Sequence, residues 1–189
     1  LFLTRPTSLP FIFAIIFFIA VSKIQFSYSP KLILLTIFLL FILTPFVFAV
    51  LYQFMNDYLI NNPQVFFYTE MVKTGVIIHH RPDTAINSPS TFFDIVYLYY
   101  TRILFFFNPY AKSFSDIHII LNSIQTFYIF LSIVVWSFLS INFKLFNKIV
   151  FLILLISFFV SSFHAFTLID YDWRYRFPII MPLLIIFPI

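Results

Sequence analysis

Three stretches of this chain, 32–56, 117–143 and 149–169, contain no Asp, Glu, Lys or Arg. Each is long enough to cross the hydrocarbon core of a bilayer, which takes about 20 apolar residues at about 1.5 Å rise per residue. A charge at the centre of a span costs roughly 2.5 to 3.5 kcal/mol on insertion scales, so uninterrupted runs of this kind predict membrane-spanning helices. The composition agrees: 62% of residues are hydrophobic and 10% charged, against about 25% charged in a soluble domain.

Two further apolar segments are shorter. Residues 9–22 predict a first span, and 177–189 the start of another that the sequence cuts off. The expected fold is therefore an all-α integral membrane protein with about five transmembrane helices, the last one truncated. The chain opens on Leu1 without a methionine and reads as an internal or C-terminal piece of a larger protein, with no targeting peptide to recognise. Three blocks follow: two spans in 1–56, an outer loop over 57–116, and further spans in 117–189. The abundance of Phe, Ile, Asn, Lys and Tyr has a plain origin in AT-rich coding sequence, and no site is read from it. With no cysteine, thiol chemistry is excluded in this piece. The net charge of +4 is scattered rather than gathered into the basic stripe that nucleic acid requires.

The connection after the first segment carries Lys23 and Lys31, and the one before the last full span carries Lys144 and Lys148; neither holds an acid. By the positive-inside rule both face the cytoplasm, which puts the 57–116 segment and a charged cluster at 170–176 on the outer side. Within the outer segment, Thr91 stands three residues before Asp94, a capping-box spacing, and Asn108-Pro109 supplies a stop. An amphipathic helix near 91–107 is expected, and its Tyr residues with Asp94 and Arg102 suit the membrane surface. Gly75 and "HHRPDTAINSP" predict turn and loop.

The cluster "DYDWRYR" gathers two acids and two arginines. Extended, it places Asp170, Asp172, Arg174 and Arg176 on one face and aromatic residues on the other; helical, it pairs Asp170 with Arg174 and Asp172 with Arg176 at i, i+4. Pro178 tips its end toward the extended form. Two arginines together can hold a phosphate through paired donors, or can form a self-neutralised surface loop. "DYD" also matches a short metal-binding pattern of sugar transferases, but the neighbouring arginines offer the aspartates other partners. His79 and His80 lack a third ligand for zinc, and no metal site is assigned. His164, in a span, is either a packed hydrogen-bonding residue or part of a site beside Arg174.

The stretch "SFHAFTLIDYDWRYRFPIIMP" resembles the late transmembrane region of the GT-C superfamily, the multi-pass glycosyltransferases that include relatives of protein mannosyltransferases. Members often show a His-Ala pair, an Asp, then Arg-Tyr-Arg-Leu-Pro leading into a span. The match falls on His164, Ala165, Asp170, Arg174, Tyr175, Arg176 and Pro178. "LTRPTSLPF", at Arg5 and Pro6, and "FFNPYAKSFSDIHIILN", at Pro109, Ser115, His118 and Asn122, are similar to earlier elements of the same group in the same order. The chain departs from it at Met181, where many relatives carry an acid before the second proline.

The resemblance implies a hexosyltransferase of a bacterial inner (plasma) membrane, moving sugar from a polyprenyl-phosphate-linked donor to a lipid, glycan or protein acceptor on the outer face. It implies lipid-phosphate contacts at Arg174 and Arg176, supported by His164, Asp170 and Tyr175. The catalytic base is expected in an early outer loop that this sequence does not contain, and a divalent metal in the intact protein stays open. The competing expectation is a non-enzymatic protein, such as a transporter or flippase subunit, marked by polar groups or broken helices at mid-membrane; Pro45 is the one candidate break.

Overall fold

The computed structural model describes residues 9–23, 28–59, 61–78, 84–110, 114–139, 144–167 and the single positions 176, 179 and 180; within the helices, the side chains of 64, 67, 137–139 and 144–146 are not described. Six helices account for most of these: α1 (Leu9–Lys23), α2 (Pro30–Tyr58), α3 (Pro63–Lys73), α4 (Phe92–Phe107), α5 (Asp116–Leu139) and α6 (Lys144–Thr167). No strand occurs among the described residues.

Three helices are long and apolar enough to cross a membrane: Pro30–Tyr58, Asp116–Trp136 and Asn147–Thr167. They coincide with the three charge-free runs. The expected count of five is not reached among the described residues. The apolar helix α1 has 15 residues, about 22 Å at the α-helical rise and short of a roughly 30 Å core. The expected final span falls almost wholly outside the described positions. Large apolar side chains such as Phe38, Leu43, Val47 and Phe54 on α2, and Phe13 and Ile16 on α1, are exposed. An unbroken apolar exterior of this kind suits lipid, not water.

Ring contacts give the directions of the helices. Phe13 and Phe18 of α1 meet Phe159 and Phe151 of α6, so these two run antiparallel. Phe41 and Phe48 of α2 meet Phe158 and Phe166, so α2 and α6 run parallel. Consequently the two lysine-bearing connections share one end of the bundle. There Lys148 Nζ lies 5.2 Å from the centre of the Tyr28 ring, a cation–π distance, and the Tyr28 hydroxyl is 2.6 Å from Ser22 Oγ.

At the opposite end α4 lies against both α2 and α6. It starts where the Thr91–Asp94 spacing predicts: the Thr91 hydroxyl accepts the Asp94 N–H at 3.2 Å, and the Asp94 carboxylate accepts the Thr91 N–H at 2.8 Å. It ends at Asn108. Arg102, expected with the aromatic residues of a surface helix, is turned inward by the packing. Ile95, Leu98, Tyr99, Arg102 and Phe106 are buried on one face of α4, while Phe93, Tyr97 and Leu104 are exposed on the other.

Pro45 does not break α2. Having no N–H, it leaves the carbonyl of Phe41, four residues earlier, without its helical donor. The Tyr100 hydroxyl of α4 donates to that carbonyl at 3.2 Å. In an environment without water a stranded carbonyl is costly, so the bond from α4 allows α2 to continue as one helix through the proline.

Candidate functional site

The sequence-derived site residues separate into two groups. His164 and Arg176 belong to the described structure, whereas Asp170, Arg174 and Tyr175 lie outside it, as do Arg5, Pro6, His79, His80, Pro178 and Met181.

Arg176 has no exposed surface. Its Nη2 donates to the carbonyl of Asn108 at 2.8 Å, and its Nη1 to Thr126 Oγ1 at 3.2 Å and, more weakly, to the carbonyl of Asn122 at 3.5 Å. Asn108 ends α4, where the last carbonyls lack helical partners and the helix dipole is negative, so a cation is stabilised there. Thr126 in turn donates to the carbonyl of Phe107 at 2.9 Å. Arg176 is therefore fastened to the end of α4 and to the N-terminal half of α5.

His164 is 2% exposed. Its ring stacks on Phe106, centroids 4.9 Å apart at 21°, and the Arg176 guanidinium carbon lies 5.9 Å from the centre of the same Phe106 ring. His164 and Arg176 thus converge on one aromatic side chain of α4. Asn122, also without exposed surface, engages neither its amide nitrogen nor its amide oxygen in a hydrogen bond. A buried amide with both ends unused is uncommon, and it places spare hydrogen-bonding capacity next to Arg176. Ser115 and His118, from the same stretch, bond to each other at 2.6 Å.

Arg102 is the residue that the sequence reading missed. It is fully buried. Nε and Nη2 donate to the carbonyl of Val76 at 3.1 and 2.9 Å, Nη1 donates to that of Ala165 at 3.1 Å, and Nη2 also approaches that of Met71 at 3.4 Å. Met71 and Ala165 stand in the last turns of α3 and α6, again at carbonyl-bearing, dipole-negative ends. The signal was present as a lone cation in an apolar helix, which points inward more often than outward. Its partners were not, because backbone carbonyls leave no mark in a sequence.

Around this hub the last turns of α6 are held residue by residue. Tyr99 donates its hydroxyl to Ser162 at 2.9 Å, Phe166 packs edge-on against Phe48 and Tyr99, and Ala165 receives Arg102. The segment that carries the Asp-Arg-Tyr-Arg motif therefore departs from a fixed point. Among the described residues no group of three or more His, Cys, Asp or Glu side chains could hold a metal ion.

No family model, no curated protein and no solved structure matches this chain.

Proposed function

We propose that this chain forms part of a membrane glycosyltransferase of the hexosyltransferase type, which moves a sugar from a polyprenyl-phosphate-linked donor to a lipid, glycan or protein acceptor on the outer face of a bacterial plasma membrane. The observation that carries the reading is the meeting of two stretches chosen for their resemblance to such enzymes. Arg176 reaches Asn108 across 68 positions and Asn122 across 54, and His164 joins them through Phe106.

The roles divide by burial. Arg176, expected as a phosphate contact beside Arg174, has no exposed surface and both Nη groups on carbonyls and a hydroxyl, which suits a positioning residue instead. Arg174, two residues earlier, is the phosphate contact: as the glycosidic bond breaks, charge grows on the departing lipid phosphate, and a guanidinium offers it two parallel donors. Asp170 and Tyr175 support that contact. The carboxylate that takes the acceptor proton comes from outside this sequence, and any divalent metal belongs with it. A transport pathway draws less support, because the candidate break at Pro45 is bridged by Tyr100 and α2 stays continuous.

The test is transfer from a radiolabelled polyprenyl-phosphate hexose in vesicles containing the complete protein. Arg174→Gln is expected to lower turnover roughly 100-fold at unchanged membrane abundance, with Arg174→Lys recovering only part because it keeps charge and loses the paired donors. Arg174→Gln with wild-type turnover removes the residue from the mechanism and the reading with it.

A further inference from the structure

Beside the start of α4 the surface opens into a depression of about 570 Å³ lined by Ala85, Ile86, Asn87, Ser88, Ser90, Asp94 and Tyr97. It lies on a different part of α4 from the Phe106 cluster. Its walls are anchored. The Ile86 N–H donates to the Gly75 carbonyl at 3.0 Å, and the Ile78 N–H to Thr84 Oγ1 at 3.1 Å. Gly75 has φ +65°, and a Cβ there would stand 2.6 Å from the Ile86 carbonyl oxygen, so glycine is what permits this close approach. A depression held in this way needs little ordering when a ligand arrives.

The lining restricts what can bind. Asp94 Oδ2 already accepts Ser90 N, Ser90 Oγ and Thr91 N at 3.1, 3.0 and 2.8 Å, which leaves Oδ1 outside that set of bonds. These bonds, those from Thr91 first, hold the Asp94 carboxyl down at about 2, so it stays an anionic acceptor at any physiological pH. Among the described lining residues no cation offsets the Asp94 charge, which disfavours an anionic ligand. The one carboxylate among the described lining residues is too few for a divalent cation held by protein oxygens, and the polar walls suit no purely apolar molecule. What they do match is a neutral group dense in hydroxyls. Asp94 accepts hydroxyl protons, Asn87 and Ser88 donate and accept, Ser90 Oγ, whose proton is held by Asp94, accepts, and the Tyr97 ring, 61% exposed and three residues from Asp94 on the helix, offers a flat face to the C–H side of a sugar ring.

We infer that this depression is a binding site for a neutral saccharide, free or as the headgroup of a glycolipid, with Asp94 and Tyr97 as its principal contacts. Its assignment as the place of the acceptor, apart from the lipid-phosphate donor, rests on the transferase reading.

The experiment uses the complete protein in nanodiscs and measures binding of neutral gluco- and manno-trisaccharides, alongside transfer from the polyprenyl-phosphate hexose. Tyr97→Leu, at an exposed position outside the Thr91–Asp94 cap, is expected to raise Kd roughly tenfold or more without altering thermal stability; Asp94→Asn is expected to raise Kd as well, with some loss of stability because it weakens the cap. Discs doped with a neutral glycolipid separate the two sources, since a headgroup site is blocked in them and a site for free saccharide is not; either result supports the inference. Absence of trisaccharide binding together with absence of glycolipid binding overturns it, as does unchanged affinity in Tyr97→Leu, or displacement of bound trisaccharide by ethanolamine-headed lipid. Transfer that proceeds with acceptor KM unaffected by Tyr97→Leu removes this site and leaves the transferase reading intact. Saccharide binding that Tyr97→Leu weakens, in a protein that transfers nothing, does the reverse.

Discussion

Arg102 carries its charge into a position with no exposed surface, and that choice is intelligible only once its partners are known. Removing a charged side chain from water is expensive, and the expense is met here by carbonyls at the ends of α3 and α6 and in the turn at Val76. Arg102→Met fills similar volume but strands those carbonyls, and a buried acceptor left unpaired costs about 1 to 3 kcal/mol. Loss of several kcal/mol of stability is therefore expected for Arg102→Met, read as a lowered unfolding temperature in detergent and faster proteolysis of the turn at 74–78. Arg102→Lys should recover only part, because an ammonium at the end of a flexible stem cannot span carbonyls on two helices as the guanidinium fork does. At this scale legibility divides between local and non-local bonds. The Thr91–Asp94 cap links residues three apart and was readable from spacing, whereas the bonds of Arg102 to Ala165 and of Arg176 to Asn108 cross 63 and 68 positions and end on backbone atoms that every residue possesses.

Among the helices, the proline of α2 shows one element completing another. The long charge-free runs announced the three longest helices because hydrophobicity over 20 residues is a property of the segment alone. The path of α4 was not announced. Its aromatic residues suit an interface equally well, and only the pairing of Tyr99 and Phe106 with α6, and of Tyr100 with the Phe41 carbonyl, shows that it packs across two helices. The coupling between Tyr100 and Pro45 is open to a double-mutant cycle. Tyr100→Phe should cost about 1 kcal/mol in the native sequence, the usual net worth of one hydrogen bond. In a Pro45→Ala background the helix supplies its own N–H to the Phe41 carbonyl, the hydroxyl becomes dispensable, and Tyr100→Phe should be nearly neutral. A coupling energy near zero, measured from unfolding of the four proteins, removes Tyr100 as the partner of the proline gap.

For the molecule as a whole, the helix directions make a statement about sidedness that neither lysine pair makes alone. Since α1 and α6 run antiparallel and α2 and α6 parallel, the positions of Lys23, Lys31 and Lys148 must share a side of the membrane, whichever it is. The proposed orientation follows the positive-inside rule, with that side in the cytoplasm and the end bearing α4, the Phe106 cluster and the Asp94 depression on the outside. No cysteine of this chain competes for label, so single substitutions in it can be read against the unsubstituted protein as control. Lys23→Cys and Lys148→Cys, both exposed positions, should react with a membrane-impermeant maleimide only from the cytoplasmic side, and Asn61→Cys, exposed just beyond the far end of α2, only from outside. Reaction of the first two from opposite sides contradicts the helix directions themselves. Reaction of both from outside, with Asn61→Cys protected, keeps the bundle but turns it over, and the proposed transfer at the outer leaflet then loses its geometry, because the segment that carries Arg174 leaves α6 at the same end as Asn61.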